Sequence, residues 1–252
     1  MLKSVLAAPN PVAQKQLIVN ADDFGLSAET NRGIIRCRQH GVLTSASLMV
    51  RAVAATDAVE YASEDSALSL GLHIDLGEWE LRECQWVQTR CVVPLDNSAA
   101  VRDEINRQLD AFRKLTGRNP THLDSHQHVH QRESVKILMR ALAREMGVVL
   151  RGDSQTVRFW GAFFGQDENL RSMPENITSA NLLRLLDSLT PGITELSCHP
   201  GFDAALDSTY CAERLLEVQT LCDPQNRLAI EKRGIQLIGF SAVSEPASLG
   251  AV

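Results

Sequence analysis

Short apolar runs alternate along the chain with segments whose apolar residues recur every three or four positions. The runs have the length of buried strands, and the longer spacing is typical of amphipathic helices. The clearest helix is predicted for residues 98–115, where Val101, Ile105, Leu109 and Phe112 recur on one face. The pattern therefore predicts strands and helices in alternation.

Seven strands are predicted, at residues 17–19, 42–50, 68–74, 121–123, 148–150, 193–198 and 235–240. Two long segments, 75–97 and 152–178, are expected to be loops. Alternation with helices indicates parallel strands joined by crossovers. The fold class is therefore α/β, either a (β/α) barrel with an irregular count of about seven strands or an open doubly wound sheet. We expect residues 1–16 to form a flexible leader and residues 17–252 a single domain.

Composition excludes several classes of protein. The chain has 252 residues, a net charge of −6 and no basic stripe, which disfavours binding to nucleic acid. No uncharged apolar run approaches the roughly 20 residues of a membrane span. The six cysteines contain no CxxC pair, so we expect thiols in a reducing cytoplasm rather than a zinc finger or a disulfide framework. Small molecules and neutral polymers remain as candidate partners.

Ionisable residues follow five of the predicted strands. They are Asp22-Asp23, His73, the His-rich run 121–130, Arg151 and His199. In parallel α/β folds the active site lies at the carboxyl ends of the strands. We therefore expect these side chains to meet at one face of the domain.

Asp22 and Asp23 are adjacent, so on an extended chain their side chains point in opposite directions. One can bind a metal while the other faces substrate or water. The alternative is that the pair caps the following helix, although Ser27 is better placed for that role.

The run Asp124-Ser125-His126-Gln127-His128-Val129-His130 places three histidines at alternate positions. If the segment stays extended, all three imidazoles and the carboxylate of Asp124 face one side, an arrangement that suits a metal. The alternative is a solvated polar loop.

The other candidates are single residues, each with two or more interpretations. His73 is either a ligand or a buried core residue. His199, which precedes a Pro-Gly turn, is a ligand, a general acid or a structural residue. Arg151 positions Asp22, binds substrate or forms a structural salt bridge. Cys198 is disfavoured as a nucleophile, because neighbours on a strand point apart and His199 could not activate it.

Four blocks resemble the YdjC-like carbohydrate deacetylases, a family that includes chitooligosaccharide deacetylases. They are residues 17–25 (LIVNADDFG), 71–73 (GLH), 121–130 (THLDSHQHVH) and 198–200 (CHP). The blocks occur in the family's order, and the resemblance covers residues 17 to about 240. Residues 159–165 (FWGAFFG) resemble, more weakly, the branch found with hopanoid-biosynthesis genes.

The resemblance implies a TIM-like (β/α) barrel catalytic domain that hydrolyses an N-acetyl group from an amino sugar. It implies a divalent metal ion held by Asp23, His73 and His126, with Asp22 as general base and His199 near the leaving amine. The family is associated with magnesium, whereas imidazole ligands favour zinc, so the ion is left open.

Five further residues are expected to bind substrate or to support the ligands: His128, His130, Asp124, Arg151 and Trp160. The expected partner is an N-acetylated sugar or oligosaccharide, and a homodimer is one alternative for the oligomeric state. Two other functions stay open, namely hydrolysis of another amide or ester and binding of metal or sugar without catalysis.

Overall fold

The computed structural model describes residues 14–83, 85–202 and 210–245. The strands are β1 (Lys15–Phe24), β2 (Ser45–Leu48), β3 (Ser69–Ile74), β4 (Gly77–Arg82), β5 (Gln85–Cys91), β6 (His122–Ser125), β7 (Val149–Leu150), β8 (Val157–Trp160), β9 (Gly192–Cys198) and β10 (Gln236–Leu237). The α-helices are α1 (Ala28–His40), α2 (Ala55–Glu64), α3 (Ser98–Thr116), α4 (Glu133–Met146), α5 (Ser179–Ser188), α6 (Ala212–Cys222) and α7 (Pro224–Lys232). The 3-10 helices are His126–Gln131, Pro174–Ile177 and Phe240–Ala242.

Eight strands form one parallel sheet. Its order is β7-β6-β3-β2-β1-β9-β8, and β10 pairs with the first residues of β1. The sheet curls into a nearly closed barrel with helices outside it, and its two ends, β7 and β8, leave a seam. The expected α/β barrel is confirmed. It is irregular because β7 and β8 do not pair with each other and because the short β10 pairs only with the start of β1.

Both faces of the central strands are buried, as in other parallel sheets covered by helices. Every residue of β1 from Leu17 to Phe24 is buried. Leu17 and Val19 belong to the main core, whereas Ile18 packs with Val149, Val157, Ile238 and Phe240 in a second cluster. Strands buried on both faces explain why the sequence has continuous apolar runs instead of strict alternation.

The segment 75–97 contains an antiparallel hairpin, β4–β5, and the expectation of a loop there was wrong. Its register runs from Gly77 opposite Cys91 to Arg82 opposite Gln85. Every described residue of β5 is exposed, so this strand has no buried face and lacks the apolar alternation that would have predicted it.

Several other boundaries also differ from the predictions; β2, for example, is shorter than the predicted strand 42–50. The four-residue strand β8 lies inside the segment 152–178, which was also expected to be a loop. Strand β1 begins at Lys15, so the last two residues of the expected leader belong to the sheet. Residues 1–13 of that leader lie outside the described part of the chain.

Helix boundaries follow the sequence closely. The Ser27 side chain accepts a hydrogen bond from the Thr30 N–H and caps α1, as expected. Helix α3 ends at Gly117, which adopts the left-handed conformation with φ +69°. Among the described helices, none combines the length and the apolar character needed to cross a membrane.

Candidate metal and catalytic site

Five of the predicted residues meet at the carboxyl ends of β1, β3, β6 and β9. They are Asp22, Asp23, His73, His126 and His199, and three to four ångströms separate neighbouring polar atoms among them. The strands that deliver them are separated in the chain but lie close together in the sheet, in the order β6-β3-β2-β1-β9. The site is therefore a product of the barrel topology.

Asp23 lies between two imidazoles. Its Oδ1 atom is 3.4 Å from Nε2 of His73 and 3.2 Å from Nδ1 of His126. Arg214, on α6, donates to the other carboxylate oxygen at 2.7 Å. Burial raises the pKa of Asp23, but Arg214 and the two histidines outweigh it and hold the pKa well below its usual range. One oxygen of an ionised carboxylate thus faces the two ring nitrogens.

These three residues fit a divalent cation. One ligand atom from each of Asp23, His73 and His126 lies within 4.8 Å of the other two. Two imidazole nitrogens and one carboxylate oxygen form a donor set that suits zinc and related transition metals better than magnesium.

Each imidazole of the metal-ligand group has a carboxylate on its far nitrogen. Asp124 Oδ1 lies 2.8 Å from Nδ1 of His73, and Glu78 Oε2 lies 2.9 Å from Nε2 of His126. Burial lowers the pKa of His73, but the carboxylates, Asp124 foremost, raise it to about 10. The same competition, with Asp23 and Glu78 as the carboxylates, raises the pKa of His126 to about 9. Both rings therefore lie in a strongly negative environment.

Asp22 is held by Arg151, and one of its carboxylate oxygens also lies within 4.8 Å of a ring nitrogen of His73. The guanidinium donates to both carboxylate oxygens, at 2.6 and 2.7 Å. It also contacts Glu195 at 2.6 Å and Asp124 at 2.9 Å. Burial raises the pKa of Asp22, but Arg151 outweighs it and lowers the pKa. Asp22 is therefore an ionised carboxylate with a fixed orientation. The contacts of Arg151 fit both the positioning of Asp22 and the structural salt bridge that were expected as alternatives.

His199 faces Asp22 from β9. Its Nε2 lies 3.6 Å from Asp22 Oδ2, and among the described residues its Nδ1 has no hydrogen-bond partner. The rings of Phe164 and Tyr210 contact the imidazole edge-on, and the His199 backbone N–H donates to the carboxylate of Glu217. Burial lowers the pKa of His199, so the ring is neutral at pH 7.

The 126–130 run does not stay extended, so the condition for its three histidines to face one side is not met. The chain turns into a 3-10 helix at His126, and Gln127 and His128 adopt left-handed conformations with φ +49° and +52°. His128 contacts the Phe159 ring, with centroids 5.4 Å apart, and Nδ1 of His130 lies 2.6 Å from the Ser125 hydroxyl. Burial lowers their pKa values, to about 3 for His128 and about 4 for His130.

A cavity of about 650 Å³ lies at the barrel seam and is linked to the site through Arg151, the partner of Asp22. Arg151, His130 and Phe159 form part of its lining, together with Lys136 from α4. Trp160 lies in β8 opposite Leu196 and is partly buried against the main core. The cavity therefore adjoins two of the residues that were predicted to bind substrate or support the ligands, His130 and Arg151, whereas Trp160 belongs to the barrel wall.

Sequence reasoning missed Ser47, on β2, whose hydroxyl lies 3.3 Å from Nδ1 of His73. It also missed two residues from outside the barrel strands that contact the metal-ligand group. Glu78 lies on the hairpin β4–β5, where no strand was predicted. Arg214 lies on α6, 191 positions after its partner Asp23. No local pattern marks either residue, because each reaches the site through tertiary contacts alone.

Comparisons with known proteins cover the barrel and every candidate residue. A family model described as YdjC-like protein matches residues 16–232. Chitooligosaccharide deacetylases of Serratia marcescens and of Salmonella paratyphi C are both 33% identical to this chain; the alignments cover 90% and 88% of it, and 98% and 96% of the relatives.

Solved structures share the architecture. A protein of Enterococcus faecalis V583 described as a cellobiose-phosphate cleavage protein has a TM-score of 0.75 and 27% identity, over 92% of this chain and all of that one. A family 4 carbohydrate esterase from Streptomyces lividans has a TM-score of 0.52 and 14% identity, over 93% and 98% of the two chains, and shows the fold alone.

Proposed function

The chain belongs to the YdjC-like protein family, and from that membership and the geometry of its site we propose that it is a carbohydrate deacetylase. The proposed reaction is hydrolysis of the N-acetyl group of an amino sugar, which yields acetate and a free amine. The names of the relatives, chitooligosaccharide deacetylases, support the class of substrate. The cytoplasmic location, the homodimer and the hopanoid-associated branch stay predictions.

One observation carries the proposal. Asp22 and Asp23 diverge from one strand end, the first toward His199 and Arg151 and the second toward His73 and His126. A group able to move protons therefore lies directly beside a group able to hold a cation. This pairing is what metal-assisted hydrolysis of an amide requires.

Asp23, His73 and His126 would hold the divalent ion. When bound, such an ion supplies Lewis-acid chemistry at the acetamide carbonyl and at the attacking water. The donor set supports zinc or a similar transition metal, although the family is associated with magnesium.

Asp22 takes the proton of the attacking water as general base. Arg151 keeps this carboxylate ionised and holds it with two hydrogen bonds, so that it stays oriented for the transfer. The C–N bond then breaks, and the amine nitrogen needs a proton.

His199 supplies that proton in the proposed mechanism. Because burial lowers its pKa, the imidazole starts neutral and must itself be protonated first. Asp22 lies 3.6 Å from Nε2 and can pass on the proton taken from water. The two residues thus form a relay between the water and the leaving amine.

The test is acetate release from N,N′-diacetylchitobiose by protein stripped with chelator and refilled separately with magnesium, zinc, manganese or cobalt. Activity is expected to return with one ion and to be lost in Asp23→Ala. Asp187→Asn, which removes an exposed carboxylate, is the matched control and should keep full activity. No release with any ion, while metal still binds, would reject this substrate and favour another amide, an ester or a binding role.

The variant that tests the general base most directly is Asp22→Asn. Loss of a general base is expected to lower kcat at least roughly 100-fold. Metal affinity is expected to stay close to that of the wild type, because Asp22 is not one of the three proposed ligands and asparagine keeps one of its oxygens. Titration of the variant with metal and single-turnover acetate release measure the two effects separately. Full activity in Asp22→Asn would remove Asp22 from the mechanism.

A further inference from the structure

The hairpin β4–β5 supplies a carboxylate to the metal-ligand group. Oε2 of Glu78, on β4, lies 2.9 Å from Nε2 of His126. We propose that Glu78 is a positioning residue that orients His126 for metal binding, so that the hairpin is part of the metal site. This inference rests on the metal site of the proposed function and extends it to an element outside the barrel.

The contacts of His126 decide which of its ring nitrogens is available to a metal. A carboxylate accepts hydrogen bonds and cannot donate one when ionised, so Nε2 of His126 carries the proton that Glu78 accepts. Nδ1 is the nitrogen that faces the ionised Asp23 carboxylate at 3.2 Å, so in the metal-free protein it also carries a proton. A cation would take the place of that proton, and Glu78 thereby keeps Nδ1 as the nitrogen available to the metal-ligand group.

His73 provides an internal comparison. Its Nδ1 contacts Asp124 at 2.8 Å, and its Nε2 faces the same Asp23 oxygen. Carboxylates that bind the far nitrogen of a ligating histidine fix the ring and increase its basicity. The two imidazoles are therefore supported in the same way, one from a barrel strand and one from the hairpin.

Gln127 joins the hairpin to the His126 turn. Its side-chain oxygen accepts from the Trp79 N–H at 2.9 Å, and its side-chain nitrogen donates to Trp79 O at 2.9 Å and to Glu78 Oε1 at 3.0 Å. The residue that follows the metal ligand thus holds the carboxylate that orients it. Because Gln127 binds Oε1 of Glu78, the other carboxylate oxygen, Oε2, is directed at His126.

The experiment measures metal affinity in Glu78→Ala, Glu78→Gln and Glu80→Ala. Glu80 is the matched control, because it lies two residues along the same strand and pairs with the exposed Arg82. Metal-free protein is titrated with Zn²⁺ and with Co²⁺ against a competing chelator, and the cobalt absorption spectrum reports ligand geometry. Thermal unfolding of the metal-free proteins checks that the fold is unchanged.

Glu78→Ala is expected to bind both ions 10- to 100-fold more weakly, roughly the effect of losing such a support, and to alter the cobalt spectrum. Glu78→Gln keeps an oxygen that can accept a hydrogen bond from His126, so a smaller loss of metal affinity is expected. This variant also tests the proposal if the alanine variant is unstable. Glu80→Ala should match the wild type. Equal affinities in Glu78→Ala and Glu80→Ala would overturn the proposal.

The two proposals fail in different ways. If the wild type binds metal but releases no acetate, the deacetylase function fails while the role of Glu78 is still measured by affinity. If acetate is released and Glu78→Ala binds metal normally, only the role of Glu78 fails. A wild type that binds neither ion would overturn both the metal site and the positioning role.

Discussion

The two imidazoles of the metal-ligand group have the same kind of support in different surroundings. Behind His73, the Asp124 side chain is 0% exposed and belongs to a barrel strand. Behind His126, the Glu78 side chain is 35% exposed and belongs to a two-stranded hairpin. The geometry is alike, but one contact is fixed by the barrel and the other depends on an element at its edge.

This difference has an energetic meaning. On the barrel side, Arg151 is completely buried among the carboxylates of Asp22, Asp124 and Glu195. Removing one partner from such a network leaves buried charge without compensation. Exposed ion pairs of the kind found on the hairpin contribute only about 0–1 kcal/mol, because water and side-chain entropy offset the attraction.

Arg151→Met tests this contrast most strongly. The variant leaves three buried carboxylates without their cation, and the free energy of unfolding is expected to fall by about 3–5 kcal/mol. Arg82→Met, which breaks the exposed pair with Glu80 on the hairpin, should change it by less than about 1 kcal/mol. Urea denaturation measures both. Similar losses in the two variants would show that burial does not distinguish these regions.

The contrast between the buried barrel and the exposed hairpin also explains which site residues could be predicted from the sequence. Asp22, Asp23, His73 and His199 were found because each follows an apolar run that ends at the carboxyl edge of a parallel sheet. Strand periodicity and topology together place such residues at one end of the barrel. That reasoning needs only local pattern and chain order.

The hairpin β4–β5 and its contacts with the metal-ligand group could not be predicted from the sequence, for physical reasons. Strand β5 is exposed along its length, so burial left no pattern in its sequence. Gln127 and His128 adopt left-handed conformations that L-residues seldom take, so the segment forms a tight turn instead of continuing extended. Glu78 and Arg214 reach the site only after distant elements have packed. The support of the ligands was therefore less predictable than the ligands themselves.

Glu217 offers a second test of how buried charged groups affect stability. Burial raises its pKa from 4.5 to about 8, although Tyr210 and the His199 N–H act against this shift. Between those two pH values the folded protein holds a proton that the unfolded chain has released. The free energy of unfolding therefore falls as pH rises through this range, with a slope of at most about 1.4 kcal/mol per pH unit for one proton.

Glu217→Gln removes this titration. Relative to the wild type, the variant should become progressively more stable from pH 5 to pH 8 and change little above that. Other titrating groups occur in both proteins and cancel in the difference. Chemical denaturation at unit pH intervals measures this difference in the free energy of unfolding. A difference that does not vary with pH would show that Glu217 is ionised in the folded protein throughout this range.

Gln127→Ala tests the hairpin side and has the smallest expected effect. The variant loses three hydrogen bonds to Trp79 and Glu78, each partly open to water, so a local loss of about 1 kcal/mol is expected. Amide hydrogen exchange at Trp79 should then become roughly fivefold faster, while amides of β1 are unaffected. Gln85→Ala, on the exposed face of β5, is the control. If Trp79 exchanges at the wild-type rate in Gln127→Ala, the hairpin is held by other contacts and its link to His126 passes through Glu78 alone.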